Sequence, residues 1–362
     1  MKKMISAVLA SALLFLCACG TAGTDTTPTP EPSETAVPSA KPTTTPKPTP
    51  SQAPYTNPLT GEGMDEDIRG QRPWAIMINN LDKALPQCGI SQAEIIYEVP
   101  AEGGVTRMMA IFTDISDVDP IGSMRSIRPY YADIGLSYDA IIVHAGGSEG
   151  SYSEMYSYDM DHLDGVLGSY ADKTFYRDKA RMQYGYEHSL FTTGEKLIEA
   201  AKGEGFSLEH SDSKYDYRLS FSENAAKQCK EDAEYVKIKF NGYKSTSFTY
   251  DPDTDLYTAY EYGNNYIDGN SGDNMTFKNI IVLTTKISVI DSVGRLAVTL
   301  TGSGEGYFIT GGKRTEITWQ RDSNDAPFSY FLEDGTKLNL GIGTTYIGIM
   351  DDYSATIAFE KT

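Results

Sequence analysis

The sequence predicts an α+β protein, with an N-terminal mixed α/β sheet domain followed by a mostly antiparallel β domain at the C-terminal end. Three observations carry that prediction. Between Asn57 and about Ala201, apolar runs of strand length alternate with helix-like segments. From about Tyr235 onward, short β-rich runs follow one another across Gly, Asp and Asn turns. A polar stretch over residues 206–234 separates the two patterns. The expected division is 1–18 signal peptide, 19–55 tether, 56–205 α/β domain, 206–234 linker region and 235–362 β-rich domain.

The first segment reads as an export and lipidation signal. Met1-Lys2-Lys3 is a short positive start, and Ile5 to Leu16 is an apolar run of signal-peptide length. It ends in Leu16-Cys17-Ala18-Cys19. A bacterial lipobox has an aliphatic residue three before the Cys and a small one just before it. Cys19 fits, with Leu16 and Ala18 in those places, whereas Cys17 follows the bulky Leu16. Cys19 is therefore the expected lipidated residue. Dual acylation anchors a chain without a transmembrane helix. Nine of the 17 prolines then fall between Pro28 and Pro54, amid Thr, Ser, Ala, Glu and Lys. Such a composition cannot bury a core, and it reads as an extended tether.

In the first domain, Trp74–Ile78, Ile95–Val99, Val105–Thr113 and Asp139–Val143 read as buried strands. Pro129 is placed to open a helix through Ile134, and Ser148 to open another. Thr192-Thr193-Gly194-Glu195 resembles a capping box ahead of Lys196–Ala201. In the second domain the strand-like runs are 235–240, 247–250, 279–290, 295–300, 307–309, 316–320, 345–350 and 356–359. Gly311-Gly312 between two of them is a two-residue hairpin signal.

Charge and composition exclude several classes. With 31 Lys+Arg against 50 Asp+Glu the net charge is −19, which opposes nucleic-acid binding and charge-driven adhesion to anionic lipid. The membrane partner expected is the lipid anchor only, on the outer face of the bacterial cytoplasmic membrane. Four Cys are too few for a disulfide scaffold, and Cys88 and Cys229 are expected to be unpaired. No metal site or cofactor is expected. The four His (His144, His162, His188, His210) form no His-Glu-x-x-His motif. The Asp-rich stretches at 251–255 and 268–274 read as turns.

The candidate site residues gather at predicted strand ends and Gly-rich turns of the first domain: Glu98, Glu102, Arg107, Arg125, Arg128, His144, Arg177 and His188. Ligands of α/β sheets bind at strand ends. Arg125 and Arg128, just before Pro129, suit a carboxylate or phosphate through bidentate hydrogen bonds and the helix dipole. The competing explanation is internal ion pairing, Glu98 with Arg107 and Asp178 with Arg177. Glu98 and Glu102 are also the pair to consider for acid–base hydrolysis, with His144 or His188. No catalytic residue is assigned.

The chain resembles the YerB-like lipoprotein family, whose two parts are domains of unknown function. The resemblance spans about 57–350. It rests on Asn57-Pro58-Leu59-Thr60-Gly61, Ser91-Gln92-Ala93-Glu94-Ile95-Ile96-Tyr97-Glu98, Glu102-Gly103-Gly104-Val105-Thr106-Arg107, Gly122-Ser123-Met124-Arg125-Ser126-Ile127-Arg128-Pro129, His144-Ala145-Gly146-Gly147-Ser148, Glu187-His188-Ser189-Leu190 and Gly302-Ser303-Gly304. Two positions depart from the pattern: Asn79, where it has Asp, and Tyr266, where it has His. The resemblance implies a location and an architecture, not an activity. The expectation is a surface lipoprotein that binds an anionic or carbohydrate envelope component, such as a cell-wall polymer, or an envelope protein. The alternative is a cell-envelope hydrolase using a Glu/His acid–base pair.

Overall fold

The structure is a computed structural model describing residues 53–212 and 215–361. The signal peptide, Cys19 and all but the last residues of the tether lie outside the described residues.

Each apolar run of the first half becomes a strand. They are β1 (Trp74–Asn80), β2 (Ile95–Pro100), β3 (Thr106–Phe112) and β4 (Ile141–His144), with the short β5 (His162–Asp164) after them. Every residue of β1, β2, β3 and β4 is buried. Such strands read as continuous apolar runs because both sheet faces are covered. Alternation along each strand divides the residues between the two faces. Ala75, Met77, Tyr97 and Met109 pack on one side with Tyr130, Tyr131, Ile134 and Met155. Ile76, Ile78, Ile96 and Met108 pack on the other, in a core shared with Leu197 and Ala201.

The helices start where their capping residues stand. Helix α1 (Pro129–Leu136) has proline at its start, where its missing N–H is no loss. Helix α2 (Glu149–Ser157) is capped by Ser148, whose side chain accepts from Ser151 N. A four-residue turn, α3 (Ala171–Thr174), precedes α4 (Gly194–Glu204), which Thr193 caps by accepting from Lys196 N.

The second half supplies β6 (Tyr235–Lys239), β7 (Ser245–Asp251), β8 (Leu256–Glu261), β9 (Asn279–Thr285), β10 (Gly302–Thr310), β11 (Lys313–Arg321), β12 (Thr345–Asp351) and β13 (Thr356–Glu360). Gly311 and Gly312, both at positive φ, turn β10 into β11. Two differences from the sequence reading stand out. The run 279–290 breaks into β9 and a short Ile287–Val289 strand, and the alternating strand β8 was not anticipated.

One sheet runs through both halves in the order β11-β10-β9-β12-β2-β3-β1-β4-β5, with Glu231–Asp232 at the β11 edge and Ser329–Leu332 also paired to β11. The join is parallel: Thr345 to Gly348 of β12 pair with Ile95 to Glu98 of β2. A second, antiparallel sheet, β8-β7-β6-β13 with two short strands added at β8, comes entirely from the second half. It packs on the main sheet through Val236, Phe248, Tyr257 and Phe277, with the Phe248 and Tyr346 rings 4.8 Å apart. The described residues of 206–234 belong to the packed body, with Tyr217, Ala225, Cys229 and Ala233 buried. Cys88 and Cys229 are both free thiols.

Candidate functional site

Residues 123–127 run across the C-terminal ends of the parallel strands β1 and β4. Asn79 N donates to Ser123 O (2.9 Å) and Arg125 N to Met77 O (3.1 Å). Ala145 N donates to Arg125 O (3.1 Å) and Ile127 N to Gly146 O (3.0 Å). This is the end of an α/β sheet where ligands bind. It places Arg125 beside β1 and delivers Arg128 to the start of α1.

Glu102, in the turn between β2 and β3, takes up two of the arginines. Arg107 Nη2 donates to Oε1 (2.7 Å), Arg128 Nε donates to Oε2 (3.0 Å), and Arg128 Nη2 also reaches Oε1. Arg107 Nη1 donates to Ser126 O (2.6 Å) and Arg128 Nη1 to Ile127 O (2.7 Å). Burial opposes ionisation of Glu102, but the Arg128 hydrogen bond and the Arg107 charge outweigh it and hold the carboxyl at about 2. Burial lowers Arg107 to about 10. Arg107 thus pairs with Glu102, not with Glu98 as the sequence reading had it.

Arg125 stands apart from this cluster. Its side chain is half-buried and makes no hydrogen bond or ion pair among the described residues. Burial lowers its pKa, with Glu187 opposing and Arg128 adding to the shift. Next to it lies His188, buried, whose Nδ1 accepts from Asn79 Nδ2 (2.9 Å). The same amide nitrogen donates to Glu187 O (3.0 Å), which fixes the amide orientation and leaves Nδ1 without a proton. Burial lowers His188, Glu187 opposes it, and Arg125, Lys83 and Arg181 lower it further. His188 is therefore a neutral imidazole, with the Glu187 carboxylate 3.7 Å from its Nε2 and the charges of Arg125, Lys83 and Arg181 acting against its protonation. Among the described residues, Asn79 Oδ1 and Ser123 Oγ are buried there without a partner.

His144 belongs to a second constellation. Its Nδ1 lies 3.0 Å from Gly146 O, so that nitrogen carries the proton, and Nε2 accepts from His162 Nδ1 at 3.0 Å. Asp164 accepts from Gly146 N (2.9 Å), Val166 N (2.8 Å) and Tyr152 OH (2.6 Å). Burial lowers His144 to about 4, against the pull of Asp164. With its Nδ1 proton committed to His144, His162 keeps an unprotonated Nε2 beside an open groove lined by Tyr152, Tyr156, Asp159 and Met160. Sequence reasoning counted His162 only among possible metal ligands. Its one signal was the spacing to Asp164, two residues on in a three-residue strand.

The remaining candidates are not part of either group. Glu98 is sealed in the interior, bonded to Asn80, Thr106, Thr246, Tyr346 and Lys244. Arg177 lies over the Tyr186 ring (3.8 Å) and donates to Tyr186 O (2.7 Å), while Asp178 caps Ala180 N. Asp268, in the second Asp-rich stretch, accepts from Gly89 N (3.2 Å), Ser91 N (2.8 Å) and Asn270 N (2.7 Å). Among the described residues no group of three or more His, Cys, Asp or Glu is arranged to hold a metal ion.

Fold and sequence together place the chain in a family. Residues 59–207 match the N-terminal domain, and 236–347 the C-terminal domain, of the protein of unknown function family DUF3048, and the chain belongs to it. A relative in Bacillus subtilis (strain 168), named "Putative lipoprotein YerB", is 28% identical over 302 residues, covering 82% of this chain and 87% of that protein. The crystal structure of the YerB protein from Bacillus subtilis matches with a TM-score of 0.73 at 26% identity, over 84% of this chain and 99% of that one.

Proposed function

We propose that this protein is a lipid-anchored envelope module that binds an anionic group at Arg125 without transforming it. The observation that carries the reading is the state of the three arginines. Arg107 and Arg128 are committed to Glu102, whereas Arg125 is half-buried with no acceptor among the described residues. A desolvated cation without a hydrogen-bond partner is costly. A carboxylate or phosphate oxygen pair offsets that cost through bidentate hydrogen bonds. Lys83 and Arg181 add positive potential around the same spot.

The anchored location is supported by Leu16-Cys17-Ala18-Cys19 and by a relative named as a lipoprotein. The acid–base alternative has less support. Glu102 is held ionised by two guanidiniums, and Glu98 is fully buried, so neither carboxyl is poised to give a proton to a bound substrate.

Co-sedimentation with purified cell-wall sacculi at two salt concentrations tests the reading. Wild type is expected to bind more weakly at high salt. Arg125→Ala is expected to bind at least tenfold more weakly, with unchanged thermal stability. Equal binding by Arg125→Ala overturns the assignment of the site, and release of soluble wall fragments overturns its non-catalytic character.

A further inference from the structure

Away from the anion site, the interior holds three charged side chains in mutual contact: Glu98 of β2, Lys244 at the turn into β7, and Glu261 at the end of β8. Their relative exposures are 0%, 1% and 0%. Lys244 Nζ lies 3.1 Å from Glu98 Oε1 and touches Glu261 Oε2. The Tyr262 ring lies 4.6 Å from the same nitrogen.

The hydrogen bonds assign the protons. Thr246 Oγ1 lies 2.8 Å from Glu98 Oε2 and 2.9 Å from Glu261 Oε1. A hydroxyl has one proton to donate, so one of the two carboxyls supplies the other. Glu98 already accepts from Asn80 Nδ2 (3.0 Å), Thr106 Oγ1 (2.5 Å), Tyr346 OH (2.6 Å) and Lys244. Glu98 is therefore the carboxylate, and Glu261 is the acid that donates to Thr246. The trio is a buried ammonium, a buried carboxylate and a buried carboxylic acid, neutral in sum.

We infer that Lys244 and Glu261 condense to an intramolecular amide, with Glu98 as the general base. Glu98 takes one proton from the Lys244 ammonium. The freed Nζ lone pair attacks Cδ of Glu261 and forms the C–N bond. The C–OH bond breaks, and the hydroxyl leaves as water with a second proton from nitrogen. The amide nitrogen keeps the third, and Glu98 ends as a carboxylic acid. No oxidant or cofactor is required, and the charge is zero before and after.

Three physical effects favour the step. The fold holds amine and acid in contact, which replaces a bimolecular encounter. Desolvation penalises the ammonium–carboxylate pair that disfavours amide formation in water, and the product carries no charge to desolvate. The site is buried, which keeps bulk water from hydrolysing the amide. The link joins neighbouring antiparallel strands, since Thr246 pairs with Glu261 in the sheet. It does not depend on the anion site.

A tryptic digest of the full chain, denatured before cleavage, decides it. Trypsin does not cut after an acylated lysine. Wild type is expected to give residues 240–278 as one looped peptide, about 18 Da lighter than its sequence through loss of water. Glu261→Ala and Glu98→Gln are expected to restore cleavage after Lys244. Complete cleavage of wild type at Lys244 overturns the proposal without reference to any variant. A link from Lys244 to the peptide that contains Glu98 overturns the assignment of Glu261 as the acylating residue.

Discussion

At the scale of single residues, one carboxylate decides how much positive charge the site offers. Glu102 pairs with both Arg107 and Arg128, and among the described residues Arg125 is left without an ion pair. Its folded pKa, about 2, lies below the ordinary 4.5. Its contribution to stability is therefore complete above pH 4.5 and is lost as pH falls through about 2. Allowing for solvent screening at this partly exposed group, that amounts to about 1–2 kcal/mol. Glu102→Gln should cost about that much at pH 7 in urea unfolding, and should flatten the stability profile between pH 5 and pH 2.

His144 shifts in the same sense for the opposite charge type. Its folded value of about 4 lies below 6.5, so the unfolded chain binds the proton more tightly. The contribution is full above about pH 6.5 and is lost, by up to about 3 kcal/mol, as pH falls toward 4. Buried Asp133 is raised to about 7, so its stabilising contribution moves the other way, fading as pH rises through 7. The difference in unfolding free energy between wild type and His144→Gln, followed from pH 7 to 4, cancels the Asp133 titration and should fall by most of that amount. The sequence showed the residue types at this site but not their pairing. Arg107 has Glu98 and Glu102 both nearby in sequence, and only the turn at Gly103, with φ 78°, brings Glu102 to it.

At the scale of elements, the opening of α4 offers two graded tests. Thr193 caps Lys196 N, and Thr193→Ala should cost about 1 kcal/mol. Gly194 is more constrained, because a Cβ there would lie 1.5 Å from Ile115 O. Gly194→Ala cannot be accommodated without backbone movement and should lower Tm far more than Thr193→Ala in the same thermal melt.

The strands legible in the sequence were those buried on both faces, since an unbroken apolar run needs no partner to be recognised. Helix starts were legible because Pro129, Ser148 and Thr193 act locally. Strand β5 has only three residues, too short to show a period. Strand β8 alternates Tyr257, Ala259 and Glu261 inward, and a buried glutamate ending that series hides its pattern. Nothing in local sequence could show that β12 joins β2.

At the scale of the whole molecule, the shared sheet predicts how the protein comes apart. A chain ending at residue 212 would expose the β2 edge, where every residue is buried in the intact fold. Open apolar edges aggregate. The 53–212 fragment should therefore be insoluble or lack a cooperative melt, while 53–361 melts in one transition by circular dichroism. A cooperative melt of the short fragment would show that the two family domains fold independently after all.

The parallel pairing of β12 with β2 also has a consequence in time. Tyr346 bonds Glu98 across 248 positions of the chain. A polypeptide threaded through a membrane from its N-terminus presents β2 long before β12 arrives. If the chain is exported as proposed, folding is completed only after nearly all of it has emerged, and contacts so distant form slowly. During that interval the β2 edge is open, and the chain is exposed to pairing with a neighbour until β12 covers it.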